Sequence, residues 1–304
     1  TARSIVAPGD PSRALTMNSW RACVPSDAVN PLHAILLGIV EGLTEYLPVS
    51  STGHLTLVSR ALGLEGEAVD SFDVVIQAGA IFAVVIQYRK LLAERIQGLT
   101  KKDPRAIRLL SNLVIAFLPM AVLGLLFRKT IKAHLFGPIP VVAALGFYGV
   151  VMLVTDGPLR RREAQLAEKH ALCTDPSDLT PKQALAVGLG QCLALVPGTS
   201  RSMGTILFGR IFGVSTGAAA EFSFLLGLPT LSAATLLEGW KSRGVLAHDV
   251  GALNLVLGFG VSFLVAWAVI RGFVAWLSKH GLAPFGVYRI LLAAFTFWFL
   301  VVRA

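Results

Sequence analysis

The sequence predicts an all-α polytopic membrane protein, with six transmembrane helices plus two re-entrant helical hairpins in an inverted-topology repeat. Three observations lead there. The 304-residue chain is 54% hydrophobic and only 15% charged, with a mean hydropathy of +0.68, whereas soluble domains carry about a quarter charged residues. Its apolar residues come in blocks such as LVIAFLPMAVLGLLF (113–127) and ILLAAFTFWFL (290–300). Blocks that extend to roughly 20 residues match the hydrocarbon thickness of a bilayer. Two further apolar segments are each interrupted by a polar, proline-containing stretch, and the two interrupted segments look alike.

Taken in order, residues 1–30 are rich in Pro, Ser and Arg and lack the continuous apolar core of a signal peptide. They are expected to form a loose tail, with Met17 a candidate natural start behind vector-derived residues. Residues 31–304 are expected to form one integral membrane domain: a first repeat over about 31–155, a cytoplasmic loop over 156–180 and a second repeat over about 181–304. Segment 31–64 breaks at LPVSSTGH and segment 181–214 at VPGTSRSMG. Proline removes a backbone donor and pushes its predecessor out of helical geometry. Each half is then about 15 residues, too short to cross alone. Non-helical backbone survives at membrane depth only inside protein or beside a water-filled cavity, so both segments read as re-entrant hairpins. Full spans are expected at about 69–88, 107–127, 138–155, 216–237, 250–273 and 284–302.

A net charge of +9 would suggest nucleic acid in a soluble protein. Here the basic residues crowd two loops, Arg89 to Arg108 and Arg160 to Lys182, so the charge reads as a topology signal with those loops in the cytoplasm and no nucleic-acid partner. The three cysteines, Cys23, Cys173 and Cys192, are too scattered for a disulfide framework or a metal knuckle. GIVEGLTEYLP aligns with GLGQCLALVP, matching Gly38 with Gly188, Glu41 with Gln191 and Pro48 with Pro197 across one gap. An odd number of crossings between the halves inverts them, and such repeats place a site near the midplane where their broken helices meet.

The polar residues in the two breaks define the candidate site. Glu41 and Glu45 share one helical face, and two like charges at membrane depth require a proton or a cation between them. A divalent metal site and an acid/base pair both fit; oxygen ligands favour Mg2+ or Ca2+. Behind Pro48, Ser51 is placed as an N-cap, with Ser50, Thr52, Gly53 and His54 around it, and such a helix start is an anion site. His54 stands three residues beyond Ser51, within reach of the same substrate atom. In the second break Arg201 lies among Thr199, Ser200, Ser202 and Thr205, and its planar fork suits phosphate oxygens. Together these groups describe phosphoryl transfer. Ser51 as nucleophile with His54 as base, and His54 as nucleophile with a carboxylate shuttling protons, both satisfy the spacing. Inverted repeats with broken helices also build secondary transporters and lipid flippases, so polyprenyl-phosphate transport is the competing reading.

EGLTEYLPVSSTGH (41–54) with PGTSRS (197–202) resembles the paired signature motifs of bacterial undecaprenyl pyrophosphate phosphatases, the bacitracin-resistance family; FDVVIQAG (72–79) and EFSFLLGLP (221–229) extend the likeness. The resemblance covers about residue 31 to the C-terminus. It implies an inner-membrane enzyme whose site opens to the periplasm and which hydrolyses undecaprenyl pyrophosphate to the monophosphate carrier with a divalent cation. That activity recycles the carrier for peptidoglycan synthesis and confers bacitracin resistance. The resemblance maps functional roles onto Glu41, Glu45, Ser51, His54, Ser200 and Arg201. Partners would be the prenyl pyrophosphate lipid and membrane lipids, and a homodimer is compatible. One departure stands out: Met203 occupies a place where the family motif has glycine, so altered loop packing with retained activity is expected.

Overall fold

The computed structural model describes residues 29–135 and 138–298. The expected tail, apart from its last two residues, lies outside the described residues, as does the end of the sixth expected span. The helices in chain order are α1 (Pro31–Thr44), α2 (Ser51–Ala61), α3 (Glu67–Gln87), α4 (Arg89–Thr100), α5 (Pro104–Leu135) and α6 (Pro138–Glu168). They continue with α7 (Pro181–Cys192), α8 (Arg201–Ile211), α9 (Thr216–Lys241), the short α10 (Arg243–Val245), α11 (Ala252–His280) and α12 (Ala283–Phe297). Among the described residues there is no strand, only an isolated bridge between Cys173 and Val214. Helices α3, α5, α6, α9 and α11 are long and apolar enough to cross a bilayer, while α1 and the described part of α12 are shorter apolar helices. The chain is a polytopic, all-helical membrane protein.

Both interrupted segments begin with the same device. Asn30 Oδ1 accepts the His33 amide at 2.9 Å with Pro31 in the first turn. At Thr180, Oγ1 accepts the Gln183 amide at 3.3 Å, Gln183 Oε1 accepts the Thr180 amide at 2.8 Å, and Pro181 follows. A side-chain acceptor satisfies an orphan donor while the proline presets the first helical φ. Each helix then stops. Five residues of turn follow Thr44, and a 3₁₀ turn at Leu193–Leu195 follows Cys192.

Each interrupted segment packs on a long helix of the other half: α1 lies along α11, and α7 lies along α5. Glycine permits the approach. A Cβ on Gly42 would stand 2.7 Å from the Ser262 carbonyl oxygen, and Gly188 backs directly onto the Ala116 backbone. Lipid offers little hydrophobic drive between helices, so such small-residue contacts carry the packing. The central helices α3 and α9 pair with each other, as do α6 and α12.

The cytoplasmic loop expected over 156–180 differs from the structure, because α6 continues through the charged run LRRREAQLAE to Glu168. Those residue types are good helix formers, and only the stretch after Glu168 connects the halves. That connection is pinned by a forked contact, Arg105 Nη2 to Asp178 Oδ2 at 2.6 Å and Nε to Oδ1 at 3.2 Å. The hydrogen bonds from Arg105 hold the Asp178 carboxyl below its ordinary range.

Candidate functional site

The two breaks converge through a pair of serines in an uncommon backbone state. Ser50 has φ 75° and Ser200 has φ 78°, and the two stand 150 positions apart, like the Asn30 and Thr180 caps. A left-handed non-glycine residue costs about 1–3 kcal/mol. Here the hydroxyl offsets part of that by capping the following helix: Ser50 Oγ accepts the Gly53 amide at 3.4 Å and Ser200 Oγ accepts the Met203 amide at 3.3 Å. The cap is therefore Ser50, one residue before the expected Ser51. The Gly53 and His54 amides are both bonded to Ser50. The Gly53 amide is taken by the Ser50 hydroxyl rather than by a helical carbonyl, which leaves the first-turn donors of Ser51 and Thr52 to face the site.

This turn brings Ser51 and Arg201 onto the same carboxylate. Ser51 Oγ donates to Glu45 Oε2 at 2.6 Å, and Arg201 Nη2 donates to Glu45 Oε1 at 3.3 Å. The other arm of the guanidinium, Nη1, donates to the Ser223 carbonyl at 2.8 Å. Its carbon stands 5.8 Å from the centroid of the Tyr46 ring, and Tyr46 is itself fixed by its hydroxyl donating to the Ala80 carbonyl at 2.9 Å. Glu45, Ser51 and Arg201 are each at most 8% exposed. An O–H to carboxylate contact of this length is in the charge-assisted class.

Beside this triad lies a cavity of about 360 Å³. Its polar end is formed by Glu45, Ser50, Ser51, Thr52, Ser200 and Arg201, with Gln77 from α3. Its walls are apolar, with Phe117, Met120 and Leu125 from α5 facing Leu231, Ala234 and Leu237 from α9. Leu125 is 73% and Leu237 40% exposed, so the apolar wall runs on to the outer surface of the helix bundle. A polar head with a long apolar tail fits that shape.

The remaining expected residues are placed differently. His54 does not meet the Ser51 hydroxyl. Its Nδ1 lies 2.8 Å from the Ser50 carbonyl, its Nε2 lies 2.7 Å from the Tyr288 hydroxyl, and the two rings stack 5.6 Å apart. A carbonyl only accepts, so Nδ1 carries the proton and Nε2 accepts from Tyr288. Capping at Ser50 turns the imidazole back toward its own helix start, and Glu45 takes the place by Ser51 expected for His54. Ser202 Oγ donates to the Leu47 carbonyl at 2.9 Å, tying one break to the other. Thr205 bonds the Arg201 carbonyl and the Ser223 hydroxyl. Gln191 Oε1 accepts from Thr230 at 3.2 Å. These groups, with Thr199 and Gly53, build the frame rather than the cavity wall. Met203 is fully buried in the main apolar cluster, and its neighbour Gly204 provides the close approach, facing the Gly190 carbonyl.

Glu41 is fully buried with both carboxylate oxygens unpartnered. Such oxygens demand a proton or a hard cation. Among the described residues, no three His, Cys, Asp or Glu side chains gather as a metal cage. Tyr46, Gln77, Ser223, Tyr288 and Arg289 were not anticipated. Arg289 alone left a signal, a lone cation within PFGVYRILLAAF, since ionisable residues at membrane depth mark function.

A family model described as bacitracin resistance protein BacA matches residues 34–295. The chain is 51% identical over 266 residues to an undecaprenyl-diphosphatase of Sorangium cellulosum (strain So ce56), covering 87% of this chain and 85% of that one. It is 45% identical over 268 residues to Undecaprenyl-diphosphatase 2 of Rhodospirillum rubrum, with 87% and 93% covered. Against an undecaprenyl-diphosphatase of Rhizorhabdus wittichii it is 42% identical over 272 residues, with 90% and 98% covered. The likeness read from the two motifs thus extends over nearly the whole described fold, and the chain belongs to the bacitracin resistance protein BacA family.

Proposed function

We infer that the chain hydrolyses undecaprenyl pyrophosphate to undecaprenyl phosphate and inorganic phosphate. The observation that carries this reading is the meeting of Ser51 and Arg201, from opposite halves, on the Glu45 carboxylate at the head of an apolar-walled cavity. The pyrophosphate takes the polar end and the prenyl tail runs between α5 and α9 toward lipid. Arg201 and the free amides of the α2 start hold phosphate oxygens and stabilise the charge that develops on them.

Ser51 Oγ attacks the terminal phosphorus while Glu45 accepts its proton. The bridging P–O bond breaks, undecaprenyl phosphate leaves with the electron pair, and phosphoserine remains. Glu45 passes the Ser51 proton to the departing phosphate, then takes a proton from a water molecule that attacks the phosphoserine phosphorus; the Oγ–P bond breaks, inorganic phosphate leaves, and Glu45 returns the proton to Ser51 Oγ. Glu45 is favoured over His54 as base because it already holds the Ser51 hydroxyl. A divalent cation, Mg2+ or Ca2+, would be held by Glu41 and Glu45 with substrate oxygens. The fit rests on the two unpartnered Glu41 oxygens, and such hard cations often rely on one or two carboxylates plus phosphates. When bound it would neutralise pyrophosphate charge.

In this reading the domain has six spans and two re-entrant hairpins, related by inversion, in the bacterial inner membrane. The paired caps, the paired left-handed serines and the exchange of α1–α11 for α7–α5 support the inversion. The basic loops support a periplasmic opening. Phosphate release by purified protein in detergent tests the activity, because no compartments exist there for transport. Release that disappears in Arg201→Ala is expected. Prenyl-phosphate movement across liposomes without any phosphate release would replace hydrolysis with transport.

A further inference from the structure

Arg289, on α12, is wholly buried, and its guanidinium makes five hydrogen bonds, all to backbone carbonyls. Nη1 donates to Thr199 at 2.8 Å and Pro48 at 3.3 Å; Nη2 donates to Gly198 at 2.6 Å and Ala144 at 3.2 Å; Nε donates to Leu145 at 3.4 Å. A guanidinium has five N–H donors, so its capacity is filled. Among the described residues, none of these bonds goes to a carboxylate. Burying a charge without a counter-ion is expensive, and a position that meets this cost only with peptide oxygens has a geometric task.

The acceptors identify the task. Pro48 lies two residues before Ser50, and Gly198 and Thr199 lie immediately before Ser200. These peptide units lead into the two left-handed serines that start α2 and α8. Ala144 and Leu145 belong to α6, the wall behind both breaks. One rigid, planar fork therefore grips the first break, the second break and a spanning helix at once. Ser51 and Arg201, each one residue beyond a left-handed serine, belong to different halves of the chain. Apart from their own contact through Glu45, their separation depends on how the two breaks are held together.

We propose that Arg289 is a positioning residue that staples the two helix breaks together, setting the distance between the Ser51 hydroxyl and the Arg201 guanidinium without touching substrate. This rests on the hydrolytic reading of the site. A misplacement of about 1 Å costs on the order of a hundredfold in rate, so the staple governs turnover far more than affinity. Lysine carries the charge but only three donors, and cannot span five acceptors.

The test reads geometry and chemistry separately. Spin labels at Leu62→Cys and Phe212→Cys, in a variant lacking the native cysteines, report the separation of the far ends of α2 and α8. Arg289→Ala is expected to broaden or shift that distance and to lower kcat about a hundredfold with KM changed only a few-fold. Free guanidinium at millimolar concentration is expected to restore part of both. Arg289→Lys, which covers the case in which the alanine variant fails to fold, is expected to stay at least about tenfold down in kcat. A lysine variant with wild-type turnover, or an alanine variant with unchanged label distances, overturns the staple. Broadened distances in a protein whose wild type releases no phosphate would retain the staple and reject the enzyme.

Discussion

Glu45→Gln is the substitution that tests the site most directly. The carboxylate receives Ser51 at 2.6 Å and Arg201 at 3.3 Å; the amide keeps the shape, but its oxygen can serve only one of them and cannot take a proton. Two magnitudes follow. Removing one partner of a fully buried ion pair costs about 3–5 kcal/mol. Arg201 keeps the Ser223 carbonyl, and both groups line a cavity, so the loss falls nearer the 1.5–3 kcal/mol typical of a charged hydrogen bond. A folded protein is therefore expected in detergent. Loss of a general base lowers rate about 10²–10⁴-fold, or about 3–5 kcal/mol in barrier at 1.36 kcal/mol per decade. Steady-state phosphate release from a prenyl pyrophosphate measures it, with Ser51→Ala and the double variant alongside. Groups acting as one unit are non-additive, so the double variant should be little slower than the slower single. A folded Glu45→Gln enzyme within about threefold of wild-type kcat, against the 10²–10⁴ expected of a lost base, would refute proton transfer to Glu45.

Four other outcomes are expected. Tyr288→Phe deletes the donor to His54 Nε2 and should lower kcat several-fold; unchanged kinetics would make that pair dispensable. Gly42→Leu forces a side chain against Ser262 and Val265 of α11 and should destabilise by about 1–3 kcal/mol or more, read as an earlier thermal unfolding midpoint in detergent. Chelation by EDTA should abolish phosphate release, Mg2+ or Ca2+ should restore it, and Glu41→Gln should raise the concentration of cation required. Asp178, whose carboxyl is held low by Arg105, adds stability that is complete above the ordinary carboxylate range. That contribution is lost as pH falls through its lowered value, so Asp178→Asn should flatten the acid limb of the stability profile.

Much of this architecture is written locally. Apolar blocks of spanning length, prolines that stop α1 and resume after a polar turn, and caps followed by Pro31 and Pro181 act within a few residues of one another. The site was legible in part for the same reason: Glu45, Ser51 and Arg201 are conspicuous because charge and hydroxyl are costly at membrane depth. The pairing of Ser51 with Glu45 rather than His54 was not legible. It depends on which of two adjacent serines adopts φ near 75°, and because the two carry the same side chain the residue types of the break do not distinguish them.

The sequence by itself determined that this chain lives in a bilayer, where its two helices break, and which polar residues those breaks carry. Only the tertiary structure decided which side chain holds the Ser51 hydroxyl and that Arg289 binds both elbows. The physical reason is that both depend on backbone direction: the φ of Ser50 orients the Ser51 hydroxyl toward Glu45, and the carbonyls that Arg289 binds are carried by every residue type and acquire a direction only once the chain has folded.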